Sequence, residues 1–315
     1  MQILRWQKNL VLPKPSAIVI GNFDGVHLGH QAMLHKAKAV AEEEKLSLCA
    51  LSFFPHTKAL TQGKSPQILS NLRDRGFFLA QSGVENWILL SFREEFRRVS
   101  AEDFVRAYLL DSLNMRYILV GEDFRFGYQG SGDFALLEKL SAEHHFRLEK
   151  MLVVQDENAE RISSSAIRSA LENKNFALAA KMLGRCPSFT GKVRTGAGRG
   201  RELLARTANL HIPNNWAVPD GVYAVEVEIL DTGKKYPAVA NIGAAPTFAS
   251  LRRKIEAHLL DYQENLYRRN LRISVQKFLR SICKFSDAAA LQEQIQRDIA
   301  AARDFFHTKS EMAVK

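Results

Sequence analysis

The first half of the chain alternates short apolar runs with stretches of helical periodicity. A β-branched run at residues 17–20 enters a turn-forming stretch at 21–25, and from residue 29 onward apolar positions recur with helical spacing. Helical patterns separate further strand-like runs at 46–54, 87–92 and 117–124. This alternation predicts a parallel α/β sheet, in which ligands bind at the carboxyl ends of the strands.

The pattern changes at Arg185-Cys186-Pro187, beyond which strand-like segments follow one another without helices between them. Glycine, proline, asparagine and aspartate turns separate these segments, which fall at 188–195, 221–230, 236–243, 254–261 and 271–279. Closely spaced strands of this kind predict a small antiparallel β-barrel.

A helical pattern follows the strand-like segments. It begins with a candidate Ser286 cap and carries Leu291, Ile295 and Ile299 at four-residue spacing, which predicts an amphipathic helix packed on the barrel. We therefore expect two domains followed by a short tail. The expected ranges are 1–185, 186–310 and 311–315.

Composition and charge narrow the class of protein. The 315 residues are 46% hydrophobic, which is enough for one or two cores, and three widely spaced cysteines predict neither a disulfide framework nor a zinc site. We see no secretory leader and no run of about 18 apolar residues, so we expect a cytoplasmic protein. The formal net charge of +10 favours phosphate-bearing partners without choosing among nucleotides, nucleic acids and acidic membranes.

The stretch GNFDGVHLGH, residues 21–30, is the first candidate site. His27 and His30 lie three residues apart at the start of a helix, with Gly29 between them. A helix N-terminus favours phosphate and glycine permits close approach, so the pattern suits a nucleotide triphosphate whose charge the imidazoles stabilise. Histidines at this spacing also occur on surfaces and in metal sites, but the preceding strand and the Gly-x-Phe-Asp sequence favour the nucleotide site.

Two later segments carry side chains suited to the same site. Asp123 and Arg125 directly follow the strand of VGEDFRFG (120–127), in the ligand-facing position of an α/β sheet. In ISSSAIR (162–168) three hydroxyls open a helix and Arg168 follows one turn later, which suits a phosphate clamp. Simple capping of that helix is the alternative, and it is compatible with phosphate binding.

In their order and spacing, these three motifs resemble the FMN adenylyltransferase module of prokaryotic bifunctional riboflavin kinase/FAD synthetases. That module is a Rossmann-like nucleotidyl-transferase domain with an HxGH loop, and the resemblance, from about residue 18 to residue 306, includes a flavokinase-like barrel. It implies that the FMN phosphate attacks the α-phosphate of ATP, which releases pyrophosphate and gives FAD. Because the attacking phosphate is already ionised near neutral pH, alignment and charge neutralisation suffice.

The resemblance implies a role for each residue at a matching position. The expected catalytic residues of the first domain are His27 and His30. The expected ATP and phosphate contacts are Gly21, Phe23, Asp24, Gly29, Ser163, Ser164, Ser165 and Arg168. The expected flavin or nucleotide contacts are Asp123, Arg125 and Phe126. His56 matches a Pro-His position of the family, or else is a structural histidine at a strand end.

The second domain resembles a flavokinase at three positions. Residues 191–210 are similar to its phosphate loop, in which Thr207 and Asn209 match residues that help to place magnesium and the phosphates of ATP. Glu256 matches the catalytic carboxylate of the family. Phosphorylation of riboflavin requires loss of a proton from a neutral ribityl hydroxyl, so it gains from a positioned base. The alternative for Glu256 is a solvated strand carboxylate.

Two departures from the family bear on the kinase. Leu204-Ala205-Arg206 replaces a Gly-Phe-Pro sequence, so the loop loses a glycine that can adopt positive φ and a proline that fixes φ. Ala245 stands where an arginine is common, which removes a possible phosphate contact. The path and closure of the loop are therefore expected to differ from those of the family.

Three functions remain open from the sequence. The first is an enzyme that uses ATP to convert riboflavin to FMN and FMN to FAD. The second keeps the adenylyltransferase but has a weak or inactive kinase domain that only binds flavin. The third is a synthetase-like or nucleic-acid-binding protein, which the absence of a KMSKS-like lysine loop and of an RNA module disfavours.

A basic face or an anion funnel would equally explain the cluster Lys192, Arg194, Arg199, Arg201 and Arg206. We expect small-molecule substrates and neither a nucleic-acid nor a membrane partner.

Overall fold

The computed structural model describes residues 1–54, 66–194, 207–244 and 253–314. Contacts divide the chain into two compact units, the first formed by Met1–Pro66 and Arg75–Ser164 and the second by Gln67–Asp74 and Ser165–Lys315. The domain boundary at residue 185 stays a prediction. Within the described part of the chain, no helix combines the length and apolar character that crossing a membrane requires.

A six-stranded parallel sheet forms the first unit, which confirms the predicted α/β architecture. Its strands are β1 (Gln2–Arg5), β2 (Ser16–Ile20), β3 (Ser47–Phe54), β4 (Asn86–Ser91), β5 (Met115–Gly121) and β6 (Arg147–Met151). They are arranged in the order β1-β4-β3-β2-β5-β6, and every neighbouring pair is parallel. Strand β2 has β3 on one side and β5 on the other, so the strand order reverses between β2 and β5, the place where such sheets bind ligands.

Helices connect and cover these strands. They are α1 (Leu28–Glu43), α2 (Leu72–Gln81), α3 (Glu94–Arg97), α4 (Ala101–Asp103) with its π-helical continuation Phe104–Ser112, and α5 (Phe134–His144). Alternate strand residues point to opposite faces: Ile18 packs into one core with Phe104, and Val19 packs into another with Leu34. The sheet is therefore buried on both faces, which explains its continuous apolar runs.

The second unit contains a nearly closed antiparallel barrel, as predicted. Its strands are β7 (Ser188–Lys192), β8 (Thr207–His211), β9 (Gly221–Ile229), β10 (Lys234–Ala244), β11 (Arg253–Leu259) and β12 (Asn270–Arg280). They are arranged in the order β7-β12-β9-β10-β11-β8. The Arg194 backbone N–H donates to the Asn209 carbonyl at 2.9 Å, which joins the two outermost strands at one point.

Three helices complete this unit: α6 (Ser164–Glu172), α7 (Phe176–Leu183) and α8 (Ala288–Val314). Helix α8 packs on the barrel through a cluster that contains Ile299 and Ala302, which confirms the predicted amphipathic helix. The predicted Ser286 cap is wrong. The Asp287 carboxylate accepts from the Ala290 backbone N–H at 2.8 Å, and Ser286 donates its hydroxyl to that carboxylate. A carboxylate acceptor one residue nearer the helix fits the free N–H group better.

Candidate active sites

The HxGH loop joins strand β2 to helix α1. His27 caps the helix, because its Nδ1 accepts from the His30 backbone N–H at 3.4 Å, and its side chain is buried. The two imidazole rings are stacked, with 3.7 Å between their centroids and 22° between their planes. The three-residue spacing therefore brings both rings to the amino end of α1, where backbone N–H groups attract phosphate.

The backbone before His27 adopts an unusual path. Phe23, Gly25 and Val26 all have positive φ, at 49°, 83° and 40° respectively. This conformation is costly for phenylalanine and more so for β-branched valine, and it persists only when the surroundings enforce it. The enforcement comes from the core, since both side chains are fully buried beneath the sheet.

Asp24 lies within this turn and is 2% exposed. Its Oδ1 is 3.2 Å from Nη2 of Arg75 on helix α2. Its backbone carbonyl accepts from the Ser164 hydroxyl at 3.0 Å. Asp24 is thus held both through its side chain and through its main chain.

The glycines of the loop permit close packing. A Cβ on Gly29 would lie 3.1 Å from Nδ1 of His27 and 3.4 Å from the carbonyl oxygen of Ile162. A Cβ on Gly21 would reach 3.4 Å from the Phe23 ring, an ordinary contact. A Cβ at position 29 would therefore press on the His27 ring, whereas a Cβ at position 21 would make only ordinary contacts.

Residues 161–164 join the three predicted motifs within the first unit. Ile162 lies beside Gly29, Ser164 contacts Asp24, and Arg161 places its Nη1 2.7 Å from Oδ2 of Asp123. The segments GNFDGVHLGH, VGEDFRFG and the start of ISSSAIR therefore meet at one place. This is the arrangement that we expected from their positions after parallel strands.

The last part of ISSSAIR belongs to helix α6. Ser163 is half-buried, whereas Ser165 is exposed on the first turn of the helix. Arg168 is half-buried, and its Nε donates to the backbone carbonyl of Gln67 at 2.6 Å. The guanidinium therefore makes a backbone contact within the second unit.

A cavity of about 840 Å³ lies in the first unit, lined in part by strand β3 and by the segments that follow strands β4 and β5. Its apolar lining comes largely from the aromatic residues Phe53, Phe92, Phe96, Phe104, Phe126 and Tyr128. Arg97, Arg98 and Arg125 supply cationic groups to the same lining, and Glu94, which lies 2.7 Å from Arg97 and 3.9 Å from Arg98, supplies one carboxylate. Of the three predicted flavin or nucleotide contacts, Arg125 and Phe126 line this cavity and Asp123 does not. A flat aromatic ring with an anionic tail is the kind of ligand that such a lining suits.

Arg125 is oriented by a carboxylate at the start of helix α5. Its Nη1 lies 3.0 Å from Oδ2 of Asp133, and that residue also caps the helix through the Leu136 backbone N–H at 3.1 Å. The Leu136 N–H and the Arg125 guanidinium lower the pKa of the Asp133 carboxyl below its ordinary value. The carboxylate thus stays ionised and keeps its arginine at the cavity.

The barrel brings together the predicted kinase residues Asn209 and Glu256. They lie directly opposite each other on the paired strands β8 and β11, and Thr207 lies opposite His258 in the same register. Cross-strand partners share a face, so the side chains of Asn209 and Glu256 lie on the outer face, opposite the buried Ala208 and Ala257. Oxygen and carboxylate groups are therefore gathered on one surface.

Glu256 has a cationic neighbour that the sequence did not indicate. Nζ of Lys254 lies 2.6 Å from Oε1 of Glu256, and the two side chains are 26% and 34% exposed. Residues two apart on a strand point to the same face, which was the available signal. Arg75 and Arg161 were also missed, because only the tertiary structure brings their guanidinium groups to Asp24 and Asp123.

Several predictions fall on residues outside the described part of the chain. They concern His56, Arg199, Arg201, Leu204-Ala205-Arg206 and Ala245. The consequences of the two departures from the flavokinase pattern accordingly stay predictions.

Comparison with known proteins agrees over both halves of the chain. The family model described as FAD synthetase matches residues 11–166, and the model described as riboflavin kinase matches residues 183–306. A solved structure described as a macrolide-efflux protein from Streptococcus pneumoniae has a TM-score of 0.82 and 29% identity, over 96% of this chain and 99% of that one.

Two curated relatives match along their whole length. The bifunctional riboflavin kinase/FMN adenylyltransferase of Escherichia coli (strain K12) is 37% identical over 310 residues, covering 97% of this chain and 98% of the relative. The protein of the same name from Haemophilus influenzae is 34% identical over 316 residues, covering 98% and 100%. The chain therefore belongs to the family of bifunctional riboflavin kinase/FMN adenylyltransferases.

Proposed function

We propose that this protein phosphorylates riboflavin to FMN and then adenylylates FMN to FAD, using ATP in both steps. The observation that carries the first-unit assignment is the meeting of the HxGH loop, Asp123 and Ser164 where the strand order reverses. The whole-length match to bifunctional relatives supports the pairing of the two activities on one chain.

Adenylylation needs alignment more than it needs a base. An oxygen of the FMN phosphate bonds to the α-phosphorus of ATP, and the bond to the β-phosphate oxygen breaks, so pyrophosphate leaves. His27 and His30 supply hydrogen-bond donors for the phosphates, with the N–H groups at the start of α1. ATP would enter as its magnesium complex, in which phosphate oxygens and water molecules are sufficient ligands for the metal ion.

The aromatic cavity is our candidate for the flavin ring of FMN. Phe104 and Phe126 offer flat apolar faces, and the lining arginines outnumber its one glutamate, so the cavity keeps a net positive charge. Stacking and burial would fix the ring, and cations nearby would favour the phosphate-bearing flavin. This assignment gives Phe126 and Arg125 the flavin-binding role that we expected of them.

In the kinase reaction, Glu256 is our candidate for the general base. It would take the proton of the ribityl hydroxyl as that oxygen attacks the γ-phosphorus of ATP and ADP departs. Asn209 lies directly across from it, and oxygen donors of Thr207 and Asn209 suit a magnesium-bound phosphate. The competing possibility, a barrel that binds flavin without phosphorylating it, rests on the Leu204-Ala205-Arg206 departure.

One assay separates these two functions. The purified protein is incubated with riboflavin, magnesium and labelled ATP, and FMN and FAD are resolved. We expect labelled FMN and FAD from riboflavin alone. Formation of FAD only when FMN is supplied would reject the kinase assignment, and no FAD from FMN would reject the adenylyltransferase.

Two substitutions divide the activities on the same chain. We expect Glu256→Gln to lower riboflavin phosphorylation by about 100-fold or more while FMN adenylylation persists, because only the first reaction needs a base. Glu226→Gln is the matched control, since Glu226 is also a barrel carboxylate paired with a lysine, at 3.1 Å. His30→Ala should lower adenylylation alone, with the exposed His35→Ala on the same helix as control. Equal loss of both activities in either variant contradicts this division.

A further inference from the structure

The Asp24 carboxylate is removed from water, and its negative charge would repel a phosphate ligand. It is 2% exposed, and Nη2 of Arg75 lies 3.2 Å from its Oδ1. The Arg75 side chain is itself only 11% exposed. A carboxylate removed from water is costly unless a charge and hydrogen bonds compensate it, whereas phosphates repel it.

The loop around Asp24 requires external support. Positive φ at Phe23, Gly25 and Val26 leaves this turn with little intrinsic stability. Gln31 donates its Nε2 amide to the Val26 carbonyl at 2.8 Å, and Ser164 donates to the Asp24 carbonyl. These bonds hold the main chain, and the ion pair to Arg75 holds the side chain between two strained residues.

The loop leads directly into the catalytic histidines. His27 follows Val26, and its ring is stacked on His30 at 3.7 Å between centroids. A shift of the turn would move His27 and its cap on α1. Small displacements of reacting or stabilising groups have large effects on rate, because transition-state contacts depend steeply on geometry.

We propose that Arg75 is a positioning residue for adenylyl transfer, which fixes Asp24 and through it the loop that presents His27 and His30. Asp24 then serves the loop instead of contacting ATP. This inference rests on the proposed FMN adenylyltransferase activity. It adds to the active site a residue of helix α2, more than forty positions away from the loop in sequence.

The test uses the full-length protein and measures kcat and KM for FMN adenylylation. We expect Arg75→Met to lower kcat by about 10- to 100-fold with KM for ATP changed less than threefold. Arg75→Lys should recover most of kcat, because a cation returns to Asp24. Arg73→Met, an exposed arginine on the same helix, is the matched control and should leave kcat unchanged. Riboflavin phosphorylation by each variant reports the integrity of the second unit, and the circular dichroism spectrum reports that the whole chain is folded.

The double variant Arg75→Met/Asp24→Asn completes the test. If the pair acts as a unit, its loss of kcat should be no greater than the larger of the losses in Arg75→Met and Asp24→Asn alone, since either change already breaks the contact between the two side chains. This variant also covers a failure of Arg75→Met to fold. Wild-type kcat in Arg75→Met or in the double variant would overturn the proposal, as would additive losses or a rise in KM for ATP alone. A wild-type protein that makes no FAD would instead reject the proposed function.

Discussion

Gly29 occupies a place where an added Cβ would lie in tight contact with its neighbours, at 3.1 Å from the nearest atom. One of these neighbours is the His27 ring and another is the main-chain carbonyl of Ile162. The carbonyl is at 3.4 Å, an ordinary contact, whereas the ring is at 3.1 Å and would have to move by a few tenths of an ångström to admit a methyl group. The glycine of the HxGH pattern therefore favours close packing of His27 within the protein.

We predict that Gly29→Ala lowers kcat for FMN adenylylation by about 10-fold or more, because the added methyl group displaces His27. Riboflavin phosphorylation should be unchanged. Gly76→Ala is the control, since its methyl group would lie 3.4 Å from the Trp87 ring in ordinary contact. Steady-state kinetics of both reactions decide the matter, and a normal kcat in Gly29→Ala would show that the ring tolerates the shift.

A second residue-scale feature is the fully buried Asp74. Its carboxylate accepts from the Thr190 backbone N–H at 2.8 Å and from the Thr190 hydroxyl, and Arg272 places its Nε 3.8 Å away. Burial nevertheless raises the pKa of Asp74 above its ordinary value, while burial lowers the pKa of nearby Arg185 to about 10. Desolvation therefore outweighs the favourable contacts for both charged groups.

This raised pKa predicts the direction of a pH effect on stability. A group that binds its proton more tightly when folded contributes most below its unfolded pKa, and the contribution is lost as pH rises through the folded pKa. The stability of the wild type relative to Asp74→Asn should thus fall as pH increases above about 4. Urea unfolding midpoints of both proteins across this range measure the difference. A relative stability that increases with pH would mean that the contacts of Asp74 with Thr190 and Arg272 outweigh its desolvation.

At the scale of elements, helix α8 is attached to the barrel by two ion pairs of different burial. Asp298 on the helix receives Arg280 of β12 in a bidentate contact, at 2.9 Å from Nε to Oδ1 and 2.8 Å from Nη2 to Oδ2. Those side chains are 7% and 23% exposed. Arg303 on the same helix pairs with Asp261, and both side chains are more than half exposed. We expect the two ion pairs to contribute unequally to the free energy of unfolding, because water screens the exposed pair of Arg303 and Asp261.

We predict that Asp298→Ala lowers the free energy of unfolding by about 3 kcal/mol, since it leaves a partly buried guanidinium without its carboxylate. Arg303→Ala, the control on the same helix, should cost less than about 1 kcal/mol. Chemical unfolding followed by circular dichroism gives both values. Similar losses in the two variants would refute the distinction drawn from burial.

The two edge strands of the parallel sheet lack the apolar pattern by which the inner strands were predicted. Strands β1 and β6 have the compositions QILR and RLEKM and were not predicted, whereas all four inner strands were. An edge strand has only one paired neighbour and exposes much of its surface, so it lacks the continuous apolar run of an inner strand. Strand β8 was not predicted either, because its residues Thr207 and Asn209 match positions of the flavokinase phosphate loop.

At the scale of the whole molecule, the formal charge of +10 separates the two flavin substrates. FMN carries a phosphate and riboflavin does not, so long-range attraction favours FMN alone. Arg97 and Arg98, 39% and 76% exposed, lie 2.7 and 3.9 Å from Glu94 at the aromatic cavity, whose lining has three arginines and one glutamate and so keeps a net positive charge near the proposed flavin site. Attraction between exposed charges weakens as salt shortens the screening length.

We predict that raising NaCl from about 0.03 M to about 0.3 M, which shortens the screening length about threefold, raises KM for FMN severalfold. KM for riboflavin at saturating ATP should change less than twofold. Initial rates at each salt concentration supply both constants. Equal sensitivity of the two flavins would indicate that salt acts on ATP binding or on the fold.

The sequence by itself determined both architectures and most of the candidate residues. Apolar runs such as Ala17–Ile20 and the alternation around Glu256 depend on backbone periodicity, which is local and therefore readable along the chain. Glycine and histidine spacing in GNFDGVHLGH has the same local character. These features predicted the parallel sheet, the barrel and its terminal helix, and the resemblance of the motifs to a known family implied the two sets of site residues.

Only the tertiary structure decided which side chains meet. Arg75 reaches Asp24 and Arg161 reaches Asp123 across 51 and 38 residues of sequence, through positions that the packing of distant segments sets. Burial was equally undetermined, and it is burial that makes Asp24 a supporting residue in our proposal and raises the pKa of Asp74. The strength of a charge depends on its surrounding dielectric and partners, and distant parts of the chain supply both.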